Sequence, residues 1–222
     1  MSRPLALLFD VNETLLDMAG LDPALVAALG SPSARGEWFA RLLHSSVVAN
    51  YTYGYRSFGA IGIDTLVNMA RRRGLVLPDE TAKEIVAKML SLPPHPEVPG
   101  ALRRLQAAGF RMATLTNSSN EAVAAQMRNA GLESFFERMI SVEEVRLFKP
   151  APEVYKRAAQ LLEIDLGAGL LIAAHDWDIL GAQAVGMPGA FLARAGSVWA
   201  LPEPPPTLVA PDLDALADLL IG

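Results

Sequence analysis

The chain has no cysteine among its 222 residues, which excludes disulfides, thiolate metal ligands and a cysteine nucleophile. Positive charge is in short supply as well. The formal net charge is -5, and the only dense basic cluster, Arg71–Arg73, sits among apolar and acidic segments, so the sequence lacks the basic footprint that nucleic-acid binding requires. Long apolar runs are also missing. The N-terminal run covers only 5–9, too short for a signal-peptide core or a membrane span, which predicts a cytoplasmic protein without membrane attachment. No internal repeat is visible, which sets solenoids aside. What remains is 51% hydrophobic and 19% charged, the balance of a well-packed globular chain with one large domain or a core carrying an inserted lobe.

Short apolar runs at 5–9, 111–115, 170–174 and 190–193 read as strands buried on both faces of a parallel sheet. Each is followed by polar residues: Asp10, then Thr116-Asn117-Ser118-Ser119, then His175-Asp176-Trp177-Asp178, then Arg194. Helical patterns lie between them at 99–108, 121–130 and 152–162, with a proline-led start or a closing glycine at Gly109 and Gly131. Alternation of this kind predicts a doubly wound α/β core whose ligand binds beyond the carboxyl ends of the strands. The polar clusters should then converge on one site.

The stretch 17–92 breaks the rhythm, with helices predicted over 36–50, 61–73 and 79–90 and no clear strand. It reads as a helical cap inserted into a core made of 1–16 and 93–222, and Pro93-Pro94-His95-Pro96 marks the return. Trp38, Phe39, Tyr51, Tyr53 and Phe58 are expected to pack as the core of that cap and to keep the pocket beneath it small and dry. The proline-rich run at 201–206 reads as a loop before a last helix from about Asp212.

Taken singly, the polar residues have ordinary readings. Asp10 is a turn or helix-cap residue, Lys149 a loop lysine, Asp178 a surface cap, and 116–118 a capping cluster for the next helix. Their joint order singles them out: Asp10 and Thr14 in FDVNETL, Thr116-Asn117 after the second strand, Lys149 in RLFKPAPEVY and Asp178 in HDWDILGA. In these motifs the sequence resembles the haloacid dehalogenase superfamily over essentially its whole length, and among its branches it looks most like the type II 2-haloacid dehalogenases. The resemblance implies that Asp10 is a nucleophile forming an ester, Lys149 holds it ionised, and Asp178 orients or deprotonates the water that splits the ester. Thr14 joins that set. Thr116 and Asn117 would donate to the substrate carboxylate or the leaving group.

The superfamily's phosphatases carry a second aspartate two residues after the nucleophile and a magnesium ligand four residues before the last one. Here those positions are Asn12 and Ala174, with Asp176 as the remaining candidate ligand. A halide leaves without a proton and needs no metal, so the resemblance implies a cofactor-free dehalogenase acting on a small anionic 2-haloacid. Magnesium enters only under the phosphatase alternative, and a silent member that binds a small anion or a protein partner is a third reading. Val11, Asn12, Phe39, Trp177 and His175 are candidate pocket residues. Phe39 stands where the type II enzymes usually have an arginine, an aromatic residue usually stands at Asn12, and Ser-Ser-Asn at 173–175. Arg41 is a candidate substrate-binding residue although its two-residue offset from Phe39 turns it to another helix face, and His44, one turn beyond Arg41, is expected to reach the same pocket. His175 is either a hydrogen-bonded structural residue or a group that donates to halide or positions water. The resemblance also makes a homodimer reasonable.

Overall fold

The computed structural model describes residues 3–52, 54–194, 196–201 and 203–222. β1 (Ala6–Phe9) begins a parallel sheet, and its four residues are all buried, as a strand covered on both faces must be. The chain then leaves the sheet for four helices, α1 (Asp22–Leu29), α2 (Ala34–Tyr51), α3 (Phe58–Arg72) and α4 (Asp79–Ala87). It re-enters at Pro93–His95, where Asp17 N donates to Pro93 O at 2.9 Å and His95 N to Leu15 O at 3.0 Å. Outgoing and returning chains are thus zipped together at the prolines.

From there helices and strands alternate: α5 (Val98–Ala107), β2 (Arg111–Thr116), α6 (Asn120–Asn129), β3 (Arg138–Ser141), α7 (Pro152–Leu162), β4 (Gly169–Ala173), α8 (Asp176–Ala184), β5 (Gly189–Leu192), β6 (Leu208–Ala210) and α9 (Leu213–Ile221). The strand order is β3-β2-β1-β4-β5-β6, all neighbours parallel. After β1 the chain builds outward through β2 and β3, then returns to build β4 to β6 on the other side. The crevice between the carboxyl ends of β1 and β4 is the switch point at which such sheets bind ligands. Phe9 pairs with both Thr114 and Ile172, so the loops after β1, β2 and β4 emerge along one edge.

The helices follow from their sequences. α7 starts at Pro152, whose missing N–H costs nothing in a first turn, and buries Val154, Tyr155, Ala158, Ala159 and Leu162 along one stripe. Ser119 caps α6 by accepting the Ala122 N–H. β3, β6, α1 and α8 were not anticipated from the sequence, and the helix expected over 79–90 is α-helical only to Ala87 before tightening into a 3-10 turn. Of the aromatic residues between β1 and the proline return, Trp38, Phe39 and Phe58 are buried, whereas Tyr51 is 84% exposed at the end of α2, contrary to expectation. Tyr53 lies outside the described residues. Among the described residues no helix is long and apolar enough to cross a membrane.

Candidate active site

Asp10 is the first residue beyond β1 and donates its N–H to Ile172 O at 3.0 Å. The Val11 carbonyl accepts the N–H groups of Leu15 and Leu16, and that tight turn folds Thr14 back under the carboxylate. Thr14 Oγ1 donates to Asp10 Oδ2 at 2.7 Å and accepts the Ala174 N–H at 3.0 Å, tying the loop after β1 to the loop after β4. Lys149 is buried to the tip. Its Nζ donates to Asp10 Oδ1 at 3.2 Å and to Asp178 Oδ2 at 2.7 Å, while its backbone N–H is held by Asn117 Oδ1 at 3.0 Å. Tyr155 OH completes the set by donating to Asp178 Oδ1 at 2.7 Å.

Burial alone would raise the pKa of both carboxylates, yet they diverge. At Asp10 the penalty is outweighed by the Lys149 charge and by hydrogen bonds from His175 and Thr14, so its carboxyl is held well below the usual carboxylate range. At Asp178 burial prevails and the Asp10 charge adds to it, against the pull of Lys149, so its pKa is raised. Two carboxylates pushed apart in this way take different roles, with the negative charge held most firmly on Asp10. Burial pushes Lys149 down, but the two carboxylates overcome it and keep the ammonium charged. Tyr155 is pushed far up by burial and by Asp178, and serves as a donor only.

His175 approaches Asp10 from the other side. Its Nδ1 lies 3.1 Å from Asp10 Oδ2 and its Nε2 lies 3.0 Å from Glu13 Oε2. Glu13 in turn takes Arg35 Nη1 at 3.0 Å, and Arg35 Nε reaches Asp22 at 2.7 Å. Charges alternate in sign from Asp22 through Arg35, Glu13, His175, Asp10 and Lys149 to Asp178. The imidazole is stacked on Trp177, with ring centres 5.2 Å apart, and lies 5.8 Å from Phe39. Burial lowers its pKa, but the bonds to Asp10 and Glu13 outweigh that and carry it up to about 10.

A small cavity opens onto these groups, lined by Asp10, Asn12, Phe39, Phe58, Asn117 and His175, with Leu43 and Trp177 completing the wall. The cavity has room for about one water. The cavity brings Asp10, Asn12, Phe39, Asn117, His175 and Trp177 together, with Thr14, Lys149 and Asp178 behind them. Lys149 and Asp178 are not the solvated loop and cap residues of the ordinary reading, being 1% and 0% exposed. Thr116 and Val11 are buried but line no part of the cavity. The Thr116 hydroxyl accepts the Ser118 N–H at 3.1 Å and shapes the turn instead of facing a ligand.

Arg41 and His44 do not reach the site, which corrects the expectation that they bind substrate. Both are exposed on α2 and line a separate surface cleft with Arg56, Arg71 and Arg72, and Arg41 pairs with Glu37 one turn before it. The helical period that carries Phe39 and Leu43 inward carries residues 41 and 44 outward. Tyr155, Glu13 and Gln126 belong to the site and escaped sequence reasoning. Tyr155 stands in the first turn of α7, six residues after Lys149, and that spacing from a loop lysine was the available signal.

A family model described as haloacid dehalogenase-like hydrolase matches residues 5–186. An (S)-2-haloacid dehalogenase of Pseudomonas putida is 30% identical over 221 residues, 97% of each chain. A haloacetate dehalogenase of Moraxella sp. (strain B) is 31% identical over 166 residues, 75% of this chain and 74% of its own. Among solved structures, L-2-haloacid dehalogenase from Xanthobacter autotrophicus with chloropropionic acid covalently bound superposes with a TM-score of 0.89 at 23% identity over 99% of each chain, a likeness of fold. With a match across most of its length and the nucleophile set assembled at the switch point, the chain belongs to the haloacid dehalogenase-like hydrolases.

Proposed function

We infer that this protein hydrolyses the carbon–halogen bond of short 2-haloalkanoic acids, giving 2-hydroxy acids through an ester on Asp10. The observation that carries the reading is the state of Asp10: a buried carboxylate kept ionised by Lys149 and Thr14 at the mouth of a small, largely aromatic cavity. An oxygen of Asp10 attacks the α-carbon from the side opposite the halogen, the carbon–halogen bond breaks, and halide departs with its electron pair. Such a displacement inverts the stereocentre. Water then splits the ester, restoring Asp10 and releasing the 2-hydroxy acid and a proton. Asn117 and backbone N–H groups of the loop after β2 are suited to the substrate carboxylate, and the aromatic walls exclude competing water. The names of the relatives agree with a 2-haloacid substrate.

Phosphoryl transfer fits the residues poorly. Asn12 has no carboxyl proton to give a leaving alcohol, and its amide is tied to Gln126 at 3.0 Å and Ser118 at 3.4 Å. Magnesium would want carboxylates where Ala174 and Asp176 stand. Ala174 has no donor, and Asp176 is turned to the N–H groups of Trp177 and Ala200. We therefore read the reaction as metal-independent, with 17–92 as the cap over a core of 1–16 and 93–222.

The test is halide release from chloroacetate and from both 2-chloropropionate enantiomers in EDTA, beside phosphate release from an aryl phosphate with magnesium. Halide release in EDTA that disappears in a folded Asp10→Asn variant is the expected result. Magnesium-dependent phosphate release alone would overturn the reading.

A further inference from the structure

A second pocket adjoins the reaction cavity, between α3 and α4 on one side and α6 on the other, and Phe58 is a wall of both. Ile63, Val86, Met89 and Ala122 make most of the remaining surface apolar. Its volume is about 210 Å³. An apolar cavity of about 150 Å³ already takes a benzene ring. The cation at its rim, Lys83, is paired with Glu80 at 2.6 Å, so the pocket offers no counter-ion to a charged guest.

One polar side chain in this wall is incompletely satisfied. Gln126 of α6 is 1% exposed, and its Nε2 donates to Asn12 Oδ1 at 3.0 Å and to Met89 O at 3.1 Å. A backbone carbonyl can only accept, so Met89 fixes which end of the amide is the nitrogen. The other end, Oε1, is a buried acceptor with no donor among the described residues. Leaving such an acceptor unpaired is costly, and a donor brought by a ligand removes the cost. Ser118 and Ser119 stand in the same wall. Their oxygens accept from Asn12 Nδ2 at 3.4 Å and from Ala122 N at 3.2 Å, and each hydroxyl hydrogen can turn to a ligand oxygen. A guest hydroxyl would donate to Gln126 and accept from a serine. A lone water would fill little of the space and meet mostly carbon.

We propose that this pocket is a binding site for a small uncharged molecule with an apolar body and one hydroxyl, the hydroxyl held by Gln126. Its occupant also touches the wall of the reaction cavity, through the shared Phe58 ring and through the Gln126 bond to Asn12, which lines that cavity. The assignment does not depend on the ester at Asp10.

The experiment titrates full-length protein with phenol and with toluene, molecules of one shape that differ in the hydroxyl, and reads binding by calorimetry and by nitrogen-15 spectra. Phenol should move the side-chain amide signals of both Gln126 and Asn12, and toluene should leave them nearly in place. The ratio of phenol to toluene affinity should fall about tenfold in Gln126→Met, which keeps the length of the side chain and loses the acceptor. Ala122→Phe, which fills the pocket from its wall and leaves Gln126 intact, should abolish binding of both and keeps the test available if Gln126→Met folds poorly. Phenol that binds neither by heat nor by shift overturns the site, as does phenol binding that survives in Ala122→Phe. An unchanged affinity ratio in Gln126→Met overturns the role of Gln126. Movement of the Gln126 signals without those of Asn12 overturns the link to the reaction cavity.

Discussion

Lys149 serves two carboxylates with one ammonium, both contacts buried. Removing it leaves two carboxylates without a cation, and breaking a buried pair from one side costs about 3–5 kcal/mol. Lys149→Met should therefore lose turnover and unfold at markedly lower urea, with chemical denaturation as the check. His175 makes a second prediction through pH. Its pKa in the fold stands above the unfolded value of 6.5, at about 10, so its charge stabilises the native state fully below pH 6.5. That contribution falls away as pH rises toward 10. Melting temperatures measured across this window should fall more steeply for the wild type than for His175→Gln. Asp10, Thr14, Lys149 and Asp178 were legible because each belongs to a motif placed at a strand end or in the loop before α7. Glu13 was not, since its role depends on a left-handed turn and on a histidine far away in sequence.

At the scale of elements, the site depends on how closely α7 and α8 approach. Gly181 of α8 makes that approach possible, since a Cβ there would stand 2.5 Å from the Tyr155 hydroxyl and 2.6 Å from Pro150 Cβ. Gly181→Ala should cost about 1–3 kcal/mol by overpacking. It should also lower turnover by pushing Tyr155 off Asp178, and combining calorimetry with steady-state rates checks both effects. The strands show where legibility ends. β1, β4 and β5 are buried throughout and announce themselves as apolar runs. β3 and β6 close the two edges of the sheet, with Arg138 exposed on one and Val209 54% exposed on the other, and a short, half-exposed strand leaves no periodic signal.

Across the whole molecule, one helix reaches both halves of the machinery. Near its start, α2 offers Arg35 to Glu13. From its middle, Phe39 and Leu43 line the cavity. Near its end, Asn50 binds the backbone just before Lys149, accepting from Phe148 N and donating to Phe148 O, each at 2.9 Å. Asn50→Ala should release the Lys149 loop and cost about 1–3 kcal/mol for the unpaired groups. For a chain of this size each kcal/mol is about 2–4 °C in Tm, which a thermal melt resolves. The helical insertion was legible from the break in strand-helix alternation. These contacts were not, because they join residues up to about half the chain apart.

The central claim is that Asp10 becomes an ester and that water attacks the ester rather than the substrate. A single turnover in water enriched in heavy oxygen, with enzyme in excess over chloroacetate, tests it directly. The account expects the label in the Asp10 carboxylate and an unlabelled hydroxyl in the product, whose oxygen came from Asp10. Label in the product's hydroxyl, with none in Asp10, would mean that water displaced the halide itself and would contradict the account.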